Sequence, residues 1–536
     1  MERLSSKRGW EIVEEEWPDC KGRCFKNRPK SLVEMLSGAV RKYPDREGFI
    51  GDDERLTFAQ FDRITNGIAA GLRRTGVGPG DRVSLLLGIS IDFMLCFFAV
   101  MKLGAIAVPL NTRFKGEELA YEINDSGSKL VIVGQEYWEQ FSPALSRLKT
   151  VEKIFFNGAD CPPGATLFKE LREHPAEGSI AATQQETDTT AIMYTSGTTG
   201  KPKGAILHHR GMIASAMHAS DFFQLQAGDK MICSVPLFHI TGLAVAALSA
   251  IFSGIPCVYL RTFKVTSFLE IVAAEKVTAF IGVINILWLM VNHADFGNYD
   301  FSSFRCAGVG GSPATEEMVN GIRTKLPRLN VSVGYGLTES HGFETSTPYE
   351  DTVRMISAVG KLVPLLDAKI VDEGGVELPV GGVGEIMLRS IMTTKGYWRN
   401  DEATKATIVD GWLRTGDIGK LDEEGFVYLL DRKKDMINRG GEKIYCLEVE
   451  NVIMNCPKVL EVAVVGVPDR VLGELVKACV ALKPGQSAEE EEIRDYCIAE
   501  LADYKVPKFV EFVESLPRNP AGKVVKGDLR YVPEKR

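Results

Sequence analysis

Tyr194-Thr-Ser-Gly-Thr-Thr-Gly-Lys-Pro-Lys-Gly204 is the stretch that decides how the rest of the chain is interpreted. It contains three glycines, four small hydroxyl side chains and two lysines. Glycine lets the backbone turn so that several N–H groups point into one concavity. Hydroxyl and ammonium groups add donors and positive charge. The composition therefore predicts a loop that holds a polyphosphate.

An apolar run, Thr190-Ala-Ile-Met-Tyr194, precedes this loop and predicts a strand. The loop is then attached to the end of a sheet, where α/β proteins place their ligands. It is not a P-loop, because Thr195 stands at the first glycine position of that motif and Pro202 follows its lysine. A flexible surface loop stays open as the alternative.

The composition is that of a globular protein with more than one domain. The chain has 536 residues, too many for one core, of which 45% are hydrophobic and 25% charged. A net charge of -8 argues against a nucleic-acid partner. The 11 cysteines are scattered, and only Cys20 and Cys24 form a close pair. We expect reduced thiols in a cytoplasmic protein, which the charged start of the chain also favours over a signal peptide.

One uncharged stretch, residues 240–260, has the length of a membrane span. Gly242, Gly254 and Pro256 interrupt it. We therefore expect a buried helix, a turn and a strand over 256–260, and no integral membrane span.

Short apolar runs alternate with helical patterns over most of the chain, which predicts an α/β fold with mostly parallel sheets. We expect a large N-terminal domain with a β-rich subdomain and a small, mobile α+β C-terminal domain. The predicted domain boundaries are an arm over 1–30, a large domain over 31–431 that includes the subdomain 367–431, and a small domain over 432–536. Strands are predicted at 82–87, 130–134, 231–235, 279–283, 304–309, 384–389, 459–467 and 477–482, and helices at 91–103 and 117–123.

The segment Asp431-Arg-Lys-Lys-Asp435 is a candidate hinge, because its polar side chains need not be buried. Further on, Ser487 and Glu490 predict a capping box at the start of a helix. Ile493 and Cys497 would then share the apolar face of that helix.

Residues 194–204 resemble the characteristic loop of the superfamily of AMP-forming acyl-CoA synthetases, adenylation domains and luciferases. Further segments resemble this superfamily in the same order, so that the resemblance covers about 31–526. They are Pro236-Leu-Phe-His-Ile-Thr-Gly242, Gly334-Tyr-Gly-Leu-Thr-Glu-Ser340, Arg414-Thr-Gly-Asp-Ile-Gly419, residues 431–445 and Asn519-Pro-Ala-Gly-Lys-Val-Val-Lys526.

The resemblance implies roles that fit the chemistry of the side chains. Tyr335 can stack on a purine, and Glu339 can hold Mg²⁺ through oxygen. Lys523 would stabilise the charge that develops between the acid and the α-phosphate, whereas Lys526 is expected to be a solvated neighbour. The implied catalytic residues are Lys523, Thr338, Glu339 and His239. The implied ATP-binding residues are Thr195, Ser196, Gly197, Thr198, Thr199, Lys203, Gly334, Tyr335, Gly336, Asp417 and Arg432.

The same resemblance assigns the remaining parts of the site. Lys434 would be the hinge, and Gly440 and Gly441 would line the channel for the thiol of CoA. The implied acyl pocket consists of His239, Val283, Asn285, Gly308, Gly310, Gly311, Val333 and His341. Asn285 could face a polar group of the acid or satisfy backbone, and the sequence leaves both open.

The resemblance implies an acid–thiol ligase that uses ATP, Mg²⁺ and CoA. It would convert a carboxylic acid, either a medium- or long-chain fatty acid or an aromatic acid, into an acyl-adenylate and then into a thioester. An adenylating enzyme that loads a carrier protein, a luciferase-like oxygenase and a non-catalytic nucleotide-binding protein are the alternatives. A homodimer is left open.

Overall fold

The structure, a computed structural model, describes residues 3–176, 178, 180, 183–195, 201–312, 314–518 and 524–531. The described chain divides into two compact units. One unit comprises Met1–Ala368 with Leu388–Arg414, and the other comprises Lys369–Met387 with Thr415–Arg536. The predicted boundaries of the arm, the subdomain and the hinge remain predictions.

The first sheet of the larger unit is parallel in its centre. Its middle strands are continuous apolar runs, as expected for strands covered on both faces. Leu130–Gly134, for example, is buried at every position. In spatial order the strands are Lys203–His208, Thr189–Thr195, Ile106–Pro109, Arg82–Leu86, Leu130–Gly134, Lys153–Asn157 and Thr166–Leu167. The pair formed by Thr189–Thr195 and Lys203–His208 is antiparallel.

The second sheet of this unit brings adjacent parallel strands to a common edge. Its strands in spatial order are Lys361–Leu362, Thr345–Ser346, Asn330–Tyr335, Cys306–Val309, Ala279–Gly282, Met231–Cys233, Cys257–Tyr259, Glu47–Ile50 and Arg55–Thr57. Gly282 pairs with Val309, and Val309 pairs with Val333. The carboxyl ends of three neighbouring strands therefore meet at one edge. A separate hairpin near the start of the chain pairs Ile12–Glu16 with Lys21–Phe25.

Side-chain caps fix the beginnings of several helices. The hydroxyl of Ser31 accepts the N–H of Glu34, and Thr57 and Gln60 form a capping box. The helices of the larger unit are Leu32–Lys42, Phe58–Arg74, Ile91–Lys102, Gly116–Ser126, Trp138–Phe141, Lys169–Arg172, His209–Phe222, Leu248–Ser253, Val265–Ala274, Ile284–Val291, Glu316–Lys325 and Asp401–Thr407. Those of the smaller unit are Cys446–Met454 and Glu490–Glu500.

The apolar stretch that could have been a membrane span is folded into the larger unit. It contains a π-helical turn at Thr241–Ala247, the helix Leu248–Ser253 and the strand Cys257–Tyr259. The helix, turn and strand were predicted, but the π-helical turn was not. Among the described residues, none of the helices is both long and apolar enough to cross a bilayer.

The smaller unit is α+β, as predicted for the C-terminal region, and its sheet is antiparallel except where Gly473–Leu482 and Phe509–Phe512 pair in parallel. In spatial order its sheet contains Glu442–Ile444, Ile437–Arg439, Gly473–Leu482 and Val459–Asp469, with Phe509–Phe512 also paired to Gly473–Leu482. Three strands contain the points at which the chain changes from one unit to the other: Asp367–Val371, Gly384–Arg389 and Trp412–Leu421. The strands Ile408–Val409 and Val427–Arg432 both pair with Trp412–Leu421.

The predicted α/β class is confirmed, and most predicted elements are present with ends shifted by one to a few residues. The capping box at Ser487 and Glu490 is wrong. The helix Glu490–Glu500 has Glu489 as its N-cap residue, and that side chain makes no capping hydrogen bond. Three glutamates in the first turn favour this start through the helix dipole instead.

Candidate active site

The ends of the polyphosphate loop are held by a pair of antiparallel strands. Thr195 pairs with Lys203, and Tyr194 pairs with Gly204. Facing residues of such a pair lie on the same side of the sheet, so Thr195 and Lys203 share one side. Ser196, Gly197, Thr198 and Thr199, the predicted ATP-binding residues between these strands, lie outside the described residues.

Glu339 is the carboxylate that connects the separate motifs of the larger unit. Its Oε1 accepts a hydrogen bond from the hydroxyl of Tyr397 at 2.8 Å and one from Thr195 Oγ1 at 3.3 Å. Its backbone oxygen accepts the N–H of Thr394 at 2.7 Å. Lys203 Nζ lies 5.4 Å from the centre of the Tyr397 ring. Segments that are 144 and 58 residues from Glu339 in the chain therefore meet at one carboxylate.

Tyr397 was not identified from the sequence. Burial raises the pKa of its hydroxyl, and the charge of Glu339 raises this pKa further. The hydroxyl therefore stays protonated and donates a hydrogen bond to Glu339. In the sequence, the aromatic pair Tyr397-Trp398 after Gly396 could have drawn attention to this residue. Its contact with Glu339 could not be predicted, because the two residues lie 58 positions apart.

The loop that carries Thr338 and Glu339 requires glycine at position 336. A Cβ there would lie 2.2 Å from the backbone oxygen of Gly342 and 2.3 Å from Glu344 Oε2. Glu344 is fully buried and accepts the backbone N–H of Leu337 at 3.1 Å. Glu344 thus holds the turn from inside, and burial raises its pKa to about 8.

Tyr335, a predicted nucleotide contact, precedes this turn on the strand Asn330–Tyr335 and is mostly buried. Its N–H donates to Thr345 Oγ1 at 3.1 Å, and a Cβ on Gly334 would lie 2.9 Å from the backbone oxygen of Thr345. These contacts fix the strand end from which the Thr338–Ser340 turn starts.

His341, two residues after Glu339 in the chain, has a φ of 61° and is fully buried. Its Nε2 accepts the N–H of His208 at 3.1 Å, and its Nδ1 donates to the oxygen of Met392 at 2.5 Å. Burial lowers the pKa of this ring to about 4, so it stays neutral with the proton on Nδ1. Both ring nitrogens form hydrogen bonds with backbone groups, so the His341 ring connects the backbone at His208 to the backbone at Met392. Its place in the acyl pocket stays a prediction.

The other predicted acyl residues collect at the common edge of the second sheet. Gly310 donates its N–H to the oxygen of Gly282 at 2.9 Å, which places it beside the strand end that continues into Val283. Asn285 accepts a hydrogen bond from Ser312 Oγ at 3.3 Å. This bond favours the interpretation of Asn285 as a partner of the loop that follows the strand Cys306–Val309.

Small residues at this edge do not all leave free space. A Cβ on Gly308 would lie 2.3 Å from the ring of Phe223, and one on Gly310 would lie 2.7 Å from the oxygen of Gly334. The nearest atom to a Cβ on Gly311 would be Val283 Cγ1 at 4.0 Å. Only Gly311, of these three, leaves room for a ligand.

His239 lies in the turn that precedes the π-helical segment, with its backbone oxygen accepting the N–H of Leu243 at 3.0 Å. Gly242 allows this turn, because a Cβ would lie 2.4 Å from the oxygen of Pro236. Ile240, the next residue after His239, lies so close to Gly342 that a Cβ there would be 2.9 Å from Ile240 Cγ2. The motif around His239 thus packs on the Glu339 loop.

Asp417 and Arg432 lie opposite each other on one hairpin of the smaller unit. Arg432 Nε is 2.7 Å from Asp417 Oδ1, and the Asp417 side chain is completely buried while that of Arg432 is 46% exposed. The N–H of Asp417 donates to Thr415 Oγ1 at 3.0 Å. The register of the hairpin thus joins two residues for which the resemblance separately implied a contact with the nucleoside.

Gly440 and Gly441 form the tight turn between Ile437–Arg439 and Glu442–Ile444. Their φ angles are 62° and 96°, values that a two-residue hairpin turn requires and that glycine adopts freely. This local geometry explains both glycines without a ligand. Their role beside CoA therefore stays a prediction, as does the hinge role of Lys434, an exposed residue.

Asp431 is buried, contrary to the expectation for the hinge segment. Its Oδ2 accepts the N–H of Cys446 at 2.6 Å and its Oδ1 accepts the N–H of Arg432 at 2.7 Å. Burial raises the pKa of this carboxyl to about 6.

Lys526 is likewise not a solvated residue. Its Nζ lies 2.7 Å from Glu450 Oε1, and the two side chains are 20% and 12% exposed. Burial acts to lower its pKa, but Glu450 and then Cys446 and Asp431 outweigh this effect and raise it. Lys523 lies outside the described residues, between Arg518 and Val524, which form a bridge.

The comparisons with known proteins agree with these motifs. The family model described as AMP-binding enzyme matches residues 36–398, and that described as AMP-binding enzyme C-terminal domain matches residues 448–523. The long-chain-fatty-acid–CoA ligase FadD13 of Mycobacterium tuberculosis is 36% identical over 503 residues, or 94% of this chain and 98% of that protein. The fatty acid–[acyl-carrier-protein] ligase ScoC of Streptomyces coeruleorubidus is 33% identical over 511 residues, or 94% of this chain and 96% of that protein.

A solved structure extends the similarity to the fold. The anthranilate CoA ligase AuaEII, in complex with anthranoyl-AMP, superposes with a TM-score of 0.87 at 28% identity, covering 93% of this chain and 96% of that one. The resemblance inferred from the motifs is therefore confirmed at the level of the family. The chain belongs to the AMP-binding enzyme family and is an AMP-forming acid–CoA ligase, which uses ATP and CoA.

Proposed function

We propose that this ligase activates a medium- or long-chain fatty acid or an aromatic acid at the edge where Glu339, Thr195 and Lys203 meet. The observation that carries the proposal is the convergence of Thr195 Oγ1 and the Tyr397 hydroxyl on Glu339 Oε1. It supports a site where one fixed carboxylate lies beside the ends of a polyphosphate loop.

In the first step, a carboxylate oxygen of the acid attacks the α-phosphorus of ATP. The bond between this phosphorus and the bridging oxygen of pyrophosphate breaks, and the acyl-adenylate forms. Lys203 and the loop hydroxyls stabilise the leaving pyrophosphate, and Lys523 stabilises charge between the acid and the α-phosphate. Tyr335, Asp417 and Arg432 hold the nucleoside, so that positioning lowers much of the barrier.

Mg²⁺ fits the donors that this site offers. A single carboxylate, here Glu339, together with substrate phosphates is a common ligand set for Mg²⁺, which retains several waters. Thr195 and Tyr397 fix the orientation of that carboxylate from one side. When bound, the ion would offset the negative charge of the phosphates.

In the second step, the thiolate of CoA attacks the acyl carbon of the mixed anhydride, and AMP leaves. No covalent bond to the enzyme is needed. We propose that the small domain turns about Lys434 between the steps, so that Lys523 departs and the Gly440-Gly441 turn reaches the thiol route. The need for two different sets of groups around one acyl carbon supports this rotation.

The proposed substrate class is supported by the named substrates of two relatives and by the space beside Gly311 at the common edge of the second sheet. FadD13 is named for long-chain fatty acids and AuaEII for anthranilate. The open space beside Gly311 and Val283 is compatible with either. We therefore propose a role in fatty acid or aromatic acid metabolism. The described cysteines are all free thiols, which supports a reducing, cytoplasmic location.

A panel of acids tests this function. Each acid is incubated with ATP and Mg²⁺, and pyrophosphate release and thioester formation are measured with and without CoA. We expect pyrophosphate release with some acids and thioester only when CoA is present. Adenylate that is transferred to an acyl-carrier protein but not to CoA would favour the alternative suggested by the similarity to ScoC. Absence of pyrophosphate release with every acid would contradict the proposal.

A further inference from the structure

A cavity of about 420 Å³ lies beside the second half of the polyphosphate loop. Apart from residues 201–204 of that loop, its lining has no role in the function proposed above. The lining residues are Tyr121, Asp125, Lys201, Pro202, Lys203 and Gly204, with Trp398, Arg399 and Asn400 from the other side.

The cavity carries an excess of positive charge. Lys201, Lys203 and Arg399 are cations, and none of them forms an ion pair with a carboxylate in the part of the chain that the structure describes. Asp125 is the single carboxylate of the lining, and its Oδ2 is occupied by the hydroxyl of Tyr194 at 2.6 Å. Several unneutralised cations around a concave surface attract a multivalent anion.

The cavity and the catalytic carboxylate lie on opposite sides of the same strands. Thr195 reaches Glu339, whereas its neighbour Tyr194 reaches Asp125. In the same way the Tyr397 hydroxyl donates to Glu339, while the next residue, Trp398, lines the cavity. Successive side chains of a strand point to opposite faces, which explains the pair Tyr194 and Thr195 on the strand Thr189–Thr195.

Lys203 connects the two sides. It lines the cavity, and its Nζ also lies 5.4 Å from the centre of the Tyr397 ring, next to Glu339. Lys203 therefore belongs both to the cavity lining and to the surroundings of Tyr397 and Glu339.

Arg399 is held over the cavity at a cost to its backbone. Its φ is 51°, in the left-handed region that residues other than glycine seldom occupy. Its Nη1 contacts the oxygen of Asp125 at 3.3 Å, and its guanidinium lies 5.7 Å from the Trp398 ring. Strained positions of this kind persist where the surrounding structure fixes them, often at ligand sites.

We propose that this cavity is a holding site for pyrophosphate on its way out of the enzyme. The inference rests on the proposed function, because adenylate formation supplies the pyrophosphate. Lys201 and Arg399 bind the departing anion after Lys203 has released it from the catalytic side.

Product inhibition tests the holding site. Arg399→Gln and Lys201→Gln each remove one cation, and Arg323→Gln removes an exposed arginine on the helix Glu316–Lys325 as the matched control. Inhibition of the complete reaction by added pyrophosphate is measured, together with the KM for ATP. Isothermal titration of inorganic pyrophosphate into AMP-saturated enzyme gives binding directly.

We expect each cavity variant to weaken pyrophosphate binding and inhibition about tenfold, as one lost charge-assisted contact would. The KM for ATP of Arg399→Gln and the behaviour of the control should stay near those of the unchanged enzyme. Unaltered pyrophosphate binding in both folded cavity variants would overturn the holding site. So would a rise in the KM for ATP with unaltered pyrophosphate binding, because the cavity would then hold the phosphates of ATP. Failure of the unchanged enzyme to release pyrophosphate would instead contradict the proposed function.

Discussion

At the scale of single residues, Glu339 receives its orientation from protein groups before any substrate is bound. The Tyr397 hydroxyl and Thr195 Oγ1 donate to the same carboxylate oxygen, and the N–H of Thr394 holds the backbone of Glu339. In the part of the chain that the structure describes, both side-chain donors reach Oε1 of this carboxylate. Preorganised groups of this kind need no rearrangement during the reaction.

Replacing Glu339 by Gln tests the value of its charge. Gln keeps an oxygen that can accept from Tyr397 and Thr195, so the fold should be unaffected. We expect the rate of pyrophosphate release to fall by about 10²-fold or more, because a neutral amide is a poor ligand for Mg²⁺. Glu316→Gln, an exposed position, is the control. A loss of less than about threefold in Glu339→Gln would contradict the role of the charge.

The resemblance of the motifs predicted roles for Glu339, Asp417 and Arg432, but the sequence did not predict the contacts that these side chains make. Asp417 and Arg432 become partners through the register of their hairpin, which depends on where a turn begins. Tyr397 meets Glu339 only after the chain has folded. Residue types and spacing reveal chemical capability, whereas long-range pairing is a property of the tertiary structure.

At the scale of elements, the base of the segment that carries Lys523 is fixed by specific contacts. The N–H of Val525 donates to the oxygen of Pro517 at 2.8 Å, and Arg518 bridges to Val524. Lys526, two residues after Val524, forms an ion pair with Glu450 on the helix Cys446–Met454. The described residues on both sides of this segment are therefore held by backbone pairing and by an ion pair.

Lys526→Met should destabilise the smaller unit by about 3 kcal/mol, because it leaves Glu450 largely buried without its partner charge. Urea unfolding measures this loss. Lys458→Met is the matched control, since the Lys458–Glu492 pair has a similar distance of 2.9 Å but side chains that are each 37% exposed. The control should lose less than about 1 kcal/mol. Equal losses in the two variants would contradict the buried pair.

The helix Gly116–Ser126 carries a buried carboxyl that should make stability depend on pH. Burial raises the pKa of Glu122 from 4.5 to about 8, with Glu118 and Asp125 contributing and the N–H of Asn111 opposing. The folded state thus binds this proton more tightly than the unfolded state. The stability that the protonated Glu122 carboxyl gives to the folded state is complete below pH 4.5 and is lost as the pH rises through about 8.

Glu122→Gln should remove this dependence. Thermal unfolding across that window should show the variant gaining stability relative to the unchanged protein as the pH rises, at up to about 1.4 kcal/mol per pH unit. Glu139→Gln, at an exposed position, should follow the unchanged protein throughout. A pH profile of Glu122→Gln that runs parallel to that of the unchanged protein would contradict the buried acid.

At the scale of the whole molecule, the α/β class followed from the alternation of apolar runs and helical patterns. The strand Leu130–Gly134 was predicted with its observed ends, because an uninterrupted apolar run leaves no other position. The π-helical turn at Thr241–Ala247 was not predictable, since it depends on the close approach of Gly242 to Pro236. Local patterns determine regular elements, and close tertiary contacts determine their irregularities.

The division of the chain into two compact units suits a reaction with two chemical steps. The polyphosphate loop and Glu339 belong to one unit, whereas Asp417, Arg432 and the segment around Lys523 belong to the other. Our central claim is that Lys523 serves the first step and is dispensable in the second.

Lys523→Ala tests this claim most directly when both half-reactions are measured. We predict that pyrophosphate release from ATP and the acid falls by about 10²-fold or more, because the charge between the two anions is no longer stabilised. Thioester formation from preformed acyl-adenylate and CoA should stay within about tenfold of the unchanged enzyme. Lys508→Ala, at an exposed position, should alter neither rate. Undiminished adenylate formation in Lys523→Ala, or equal losses in both half-reactions, would contradict the account.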